Sequence, residues 1–375
     1  MIYLDFNRTS PVAPSVIEAM QPYFSEHFML PTQSHVQAAA VSEAIEMSRE
    51  KVAMTLGCDP FEVVFTSGGT EANNLAMLGF DVDQAGSGHP HSLVSAVETD
   101  AVVAVAIELQ RRGWEIETVP CDEDGLIDAD DIAGRIRPET KLVCVQLANP
   151  VLGTIQPIRE VADCCHNHGV RLHCDATAAV GKIPMNVASL RVDTLAVSGH
   201  KMYGPKGCGA LFVRRGLELS PVIFGEDREM GLRGGDENVP GIVGLGAAAH
   251  LTGRCVSEAE ITLADLRQRL IDGLRSTLGD DVSVLAETTD GLPNTVAIEF
   301  PGDAKRIQKA ARELVVATAQ SNTPPDEITR VLRAAGRSDK QVGRVIRFSA
   351  GWTTSREQID RAVSALADAS ECLSR

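Results

Sequence analysis

The chain has 375 residues, 44% hydrophobic and 23% charged, enough to bury a large core and to suit two domains at roughly 100–200 residues each. Its 51 Asp and Glu outnumber 35 Lys and Arg; a net charge of −16 argues against nucleic acid and anionic membranes as partners, because both repel an acidic surface. The nine scattered cysteines form no disulfide framework, MIYLDFNRTS has no signal-peptide character, and no run of about 18 apolar residues could span a bilayer, so a reducing cytoplasm is the expected location.

Short apolar runs then alternate with amphipathic stretches. FEVVFT (61–66) predicts a strand that turns through SGGTEANNLAMLGF into a helix. SLVSAV (92–97) predicts a second strand, followed by the helix DAVVAVAIELQRRG, the strand EIETV (115–119), the helical ADDIAGRIR and the strand KLVCVQL (141–147). IREVADCCHNHG predicts a helix before the strand VRLHCD (170–175), and TLAVS and GALFVR close the series. Strands alternating with helices predict an α/β fold with a mostly parallel sheet, whose ligands gather at the carboxyl ends of the strands. From about residue 251 the long helix EAEITLADLRQRLIDGLRSTLG leads to DVSVLA, NTVAIEF, ELVVAT and RVIRFSA, the pattern of a smaller α+β domain.

The strand ends carry the chemistry. After FEVVFT, Gly69 and Thr70 open a helix, as a phosphate cup or as a plain cap. Asp175 ends a buried strand and needs either a turn to cap or a cation to pair with. Ser198, His200 and Lys201 follow TLAV, where the lysine is either a surface charge or an amine that forms an imine with a carbonyl. Together, cup, carboxylate and amine are what pyridoxal 5'-phosphate requires: one holds the phosphate, one keeps the ring nitrogen protonated, one carries the aldehyde. GPKGCGA lacks the Lys-Ser/Thr ending of a Walker loop, and CCHNH on a helix points its ligand types in different directions, so neither a nucleotide nor a metal is expected there.

With these residues in view, the chain resembles the cysteine desulfurases of the class V aminotransferase family, nearly end to end. The similarity runs through IYLDFNRTSPVAPSVIEAM, VFTSGGTEANNLAMLG, GTIQPIREVA, HCDATAAVGKIP, VSGHKMYGPKGCGALFVRR, VPGIVGLGAA and VIRFSAGWTT. It implies an aspartate-aminotransferase-like fold with a large domain over 14–250 and a small one from 1–13 and 251–375. It implies a homodimer acting on a small amino acid. Lys201 would hold the cofactor, Asp175 would pair with its ring nitrogen, and Gly69, Thr70, Ser198 and His200 would hold its phosphate. Arg347 would clamp the substrate carboxylate through its fork.

The sequence also departs from that family. A desulfurase carries sulfur on a cysteine of a mobile small-domain loop, but no cysteine lies between 256 and 371, and Ser321, or Gln320 with a one-residue offset, falls at that place. A serine hydroxyl cannot form a persulfide. Thr99 stands where a histidine would stack on the ring, Pro150 and Ala178 where an asparagine and a glutamine would reach the cofactor oxygen, and Asp236 where a threonine would reach the partner's phosphate. Arg8 replaces a small residue, and Leu30 an asparagine near the substrate carboxylate. Three readings follow: a cofactor enzyme with altered lyase or aminotransferase-type chemistry, a desulfurase using another thiol, or a non-catalytic dimeric scaffold. A sulfur-acceptor protein is expected only if sulfur transfer persists.

Overall fold

The computed structural model describes residues 1–81, 89–320 and 323–374. Its strands, in chain order, are Ile2–Tyr3 (β1), Val63–Thr66 (β2), His91–Ser95 (β3), Glu115–Val119 (β4), Thr140–Cys144 (β5), Arg171–Asp175 (β6), Thr194–Ser198 (β7), Gly209–Val213 (β8), Ser283–Val284 (β9), Thr295–Glu299 (β10), Leu314–Val315 (β11), Ala317–Thr318 (β12) and Val345–Ser349 (β13). The sheet that positions the site has the order β2–β8–β7–β6–β5–β3–β4. All its pairings are parallel except those of β8, which runs antiparallel to both neighbours. This is the predicted α/β architecture. The near-continuous apolar runs become strands buried on both faces, while the Glu-bearing β4 lies at the edge and is largely open.

Beyond it, β12–β13–β10–β9 form an antiparallel sheet, and β1 pairs in parallel with β11. Two expected strands are cut short here. DVSVLA keeps only β9, because Ala286 takes a left-handed backbone (φ 50°) that ends the ladder. ELVVAT is split at the buried Val316, its halves pairing in two different sheets. The long helix also starts earlier than predicted: Val239–Leu278 runs unbroken for 40 residues through position 250. Asn238 caps it, its side chain accepting from Gly241 N, and Pro240 occupies its first turn, where a missing N–H costs nothing. Among the described residues no helix is long and apolar enough to cross a membrane.

Candidate active site

Three strand ends meet at one rim of the large sheet. Thr66 of β2 and Ser198 of β7 both lie opposite Gly209 of β8, so the three residues form one row across the sheet. A Cβ at position 209 would stand 2.6 Å from Gly68 Cα and 2.5 Å from Val197 O, so only glycine lets the loop after β2 close over this edge. That loop turns through Gly68 (φ 144°) into the helix Gly69–Asp81. A Cβ at Gly69 would meet Thr177 Cγ2 at 2.5 Å and Ser198 Cβ at 3.5 Å, so this glycine is the wall of a small cradle rather than a turn former. Thr70, next along, is exposed at the helix N-terminus, where backbone dipoles favour an anion.

Asp175 ends β6 and is only 3% exposed. Its Oδ1 accepts from Thr177 N at 2.8 Å, and its Oδ2 accepts from Asn73 Nδ2 at 2.8 Å and Thr99 Oγ1 at 2.9 Å. Three donors occupy three of about four lone-pair directions, leaving room for one more partner. Asn73 is fixed in turn: its Oδ1 accepts from His173 Nε2 at 2.8 Å, which places the ring proton on Nε2, and His173 Nδ1 accepts from the Thr194 hydroxyl at 2.8 Å. Burial lowers the His173 pKa to about 4, so this buried ring is neutral.

Lys201 ends the short turn Gly199–Lys201 after β7, and its Nζ lies 3.5 Å from Thr177 Oγ1. Thr177 therefore touches both the amine and, through its backbone, the Asp175 carboxylate. His200 Nδ1 is 3.1 Å from Thr9 Oγ1; burial first, then the charges of Lys201, Lys206 and Arg8, lower its pKa to about 4. The ring is therefore a neutral imidazole.

Arg347 comes from the middle of β13 and is buried. Its Nη2 pairs with Asp5, its Nη1 donates to Pro150 O at 3.2 Å, and its Nε is buried with no partner. Pro150 contributes an acceptor here, a role its missing N–H does not touch. Asn7 Nδ2 donates to the same carbonyl at 2.9 Å, and Lys182 Nζ donates to Asn7 Oδ1 at 2.7 Å. Lys182 is buried beside the charges of Lys201 and Arg347, and burial pushes its ammonium well below the usual range.

The structure thus brings together Gly69, Asp175, Ser198, His200 and Lys201, and links them through Thr177 and Lys182 to Arg347. Sequence reading passed over Thr177, Asn73, Asn7, Asp5 and Lys182. Lys182 carried a signal, a lysine inside the apolar run AAVGKIP; Asn73 lies one turn beyond Gly69 on the helix that covers the sheet. Of the departures, Thr99 has a defined contact to Asp175, whereas Leu30 and Asp236 are exposed. Among the described residues no ion pair joins Arg8 to Asp236. Ser321 lies outside the described residues.

These residues fit pyridoxal phosphate. The cradle at Gly69 would be filled by a single Cβ, Asp175 keeps one acceptor direction unused, and the Lys201 amine adjoins Thr177, which borders both.

Comparison with known proteins agrees. Residues 2–361 match the family described as "Aminotransferase class-V". The chain is 35% identical over 364 residues to the "Cysteine desulfurase IscS" of Methanosarcina thermophila, covering 96% of this chain and 89% of that protein. A solved structure described as "NIFS-LIKE PROTEIN" superposes with a TM-score of 0.91 at 30% identity, covering 100% of this chain and 99% of the other. Another, described as "SspA in complex with cysteine", gives a TM-score of 0.82 at 31% identity, covering 93% and 98%.

Proposed function

The chain belongs to the class V aminotransferase family, among its cysteine-desulfurase-like members, and is a pyridoxal-phosphate-dependent enzyme; from that premise we propose that it acts on a small amino acid without carrying sulfur on a loop thiol. The observation behind this reading is the absence of any cysteine between 256 and 371 in a chain that keeps Lys201 beside Thr177 and Asp175. The thiols nearest the site in sequence are poor substitutes. Cys174 and Cys208 are buried, and burial pushes the Cys174 thiol far up and the Cys208 thiol to about 12. A thiol that does not ionise is a weak nucleophile.

Pyridoxal phosphate, when bound, supplies an aldehyde for amines and a ring that withdraws electrons. Lys201 would anchor the cofactor through its amine, and the same amine, beside Thr177 Oγ1, would take and return the substrate proton as general base and acid. Asp175, with one acceptor direction unused, would pair with the ring nitrogen. Thr70, Ser198 and neutral His200 would hold the phosphate, and Gly69 keeps the space open. Arg347 binds the substrate carboxylate, which competes with Asp5 for the guanidinium fork.

The same reading makes the protein a cytoplasmic homodimer with domains 14–250 and 1–13 plus 251–375. Phe24, Phe28 and Phe224, 66%, 70% and 83% exposed, are apolar surface that a second copy would cover.

The test treats the cofactor-loaded protein with borohydride and maps the adduct, then measures protein-bound persulfide by alkylation and mass after incubation with L-cysteine. An adduct on Lys201, amino-acid turnover and no persulfide support the reading. Persulfide on any cysteine overturns it in favour of a desulfurase with another thiol. No adduct and no turnover leave the scaffold.

A further inference from the structure

Away from the active site, a cleft of about 270 Å3 opens between the helices Val36–Leu56 and Val239–Leu278 and the segment 181–185. Its lining includes three basic side chains, Lys51, His250 and Arg254, and no acidic one. On a chain of net charge −16 that is a local inversion of sign. Among the described residues no ion pair uses any of the three. Lys51 and Arg254, unpaired cations on one concave surface, repel each other, and an anion between them removes that cost. Besides Thr55, Thr252 and two glycines, the remaining wall is apolar, built by Met54, Ile183, Pro184, Met185 and Val256.

The cleft is framed by fixed parts. Thr55 Oγ1 ties the two helices together, donating to Ala249 O at 3.0 Å. Thr252 is fully buried, its hydroxyl bonded to Ala248 O at 2.9 Å. Gly181 (φ 80°) is wedged so closely that a Cβ there would meet Met202 at 3.0 Å and Thr252 at 3.2 Å. A preformed concavity with an apolar wall and a few convergent charges is the usual character of a small-molecule site.

We propose that this cleft binds a small organic anion, its apolar body against Ile183, Pro184 and Met185 and its anionic group between Lys51 and Arg254, separately from the active site. The volume suits a short-chain carboxylate; a polyanion would leave the apolar wall bare. The cleft backs directly onto the segment that carries Lys182 inward and onto Met202, the neighbour of Lys201.

The experiment is calorimetric titration of the cofactor-loaded full chain with hexanoate, hexanol and hexylammonium at low salt. Hexanoate is expected to bind about tenfold or more tightly than the other two, and to weaken as sodium chloride rises. Lys51→Ala with Arg254→Ala together is expected to reduce its affinity about tenfold, whereas Arg347→Ala leaves it within about twofold. Equal binding of the three probes overturns the proposal. So does hexanoate binding that survives the double variant but disappears with Arg347→Ala, because the carboxylate would then sit in the active site. Urea midpoints of each variant establish that the comparison is made on folded protein.

Discussion

The hydroxyl of Thr99 donates to Asp175 Oδ2 at 2.9 Å, beside the amide of Asn73, which reaches the same oxygen at 2.8 Å. Where its relatives are expected to carry a ring-stacking histidine, this chain places a further donor on the buried carboxylate. Hydrogen bonds to a charged group are stronger than those between neutral ones. Thr99→Val keeps the shape and removes the donor. It should lower stability by about 1–3 kcal/mol, read from urea unfolding. Thr99→Ser should stay much closer to the parent.

Gly69 gives a steric prediction. Its backbone is helical, so alanine is conformationally allowed, and the obstacle is the 2.5 Å approach of a Cβ to Thr177 Cγ2. Gly69→Ala should push Thr177 away from Lys201 and weaken cofactor retention about tenfold or more, measured by equilibrium dialysis, with strain of about 1–3 kcal/mol. Thr177→Ser removes the offending methyl and keeps the hydroxyl and the backbone N–H. The double variant should recover most of the loss; no recovery would show that the cradle is not what Gly69 maintains.

Glu98 predicts a pH dependence. It is fully buried, and desolvation, with the negative charge of Asp175 adding, raises its pKa to about 7, although Ser95 and the Gln146 N–H each donate to it. A folded-state value above the unfolded one means that the folded protein holds the proton longer. Below the ordinary value of 4.5 the group is neutral in both states and costs nothing; stability then falls as pH rises toward 7, and the full penalty persists above it. The difference corresponds to about 3 kcal/mol. Glu98→Gln keeps an acceptor and cannot ionise. Its stability relative to the parent should increase between these pH values and level off above them, as measured by denaturant midpoints across the range.

Arg49 and Glu229 form a buried two-pronged pair, with contacts of 2.8 and 2.9 Å, and Glu229 Oε2 also accepts Phe65 N at 2.7 Å in β2. The pair anchors the strand that ends in the cradle. Glu229→Ala removes the buried partner of the Arg49 guanidinium and leaves it only the exposed Glu46 and the Val63 carbonyl, and should cost about 3 kcal/mol. Replacing both partners, by Arg49→Met with Glu229→Leu, should recover only part of this. The Phe65 N–H and the Val63 carbonyl, bonded to Arg49 Nη1 at 2.7 Å, would both lose their partners.

Most of the large sheet was legible in the chain. EIETV and TLAVS are strands β4 and β7 to the residue: TLAVS because a strand buried on both faces is a continuous run of apolar or β-branched side chains, EIETV because its β-branched residues alternate with Glu as on a half-open edge strand. The order of Gly69, Asp175 and Lys201 was legible for the same reason: each directly follows such a run. The small domain was harder. ELVVAT reads as one strand, yet Val316 turns into the core and its halves join different sheets, a choice made by the partners β1 and β13 and not by ELVVAT itself.

By itself the sequence determined the residue types at the strand ends and the lack of a loop cysteine, since both are properties of local stretches. Only the tertiary structure decided where each side chain points. Thr99 meets Asp175 across 76 residues, and Arg49 meets Glu229 across 180. Such contacts depend on how helices and strands pack, and short, directional hydrogen bonds form only between groups that packing has already brought to about 3 Å.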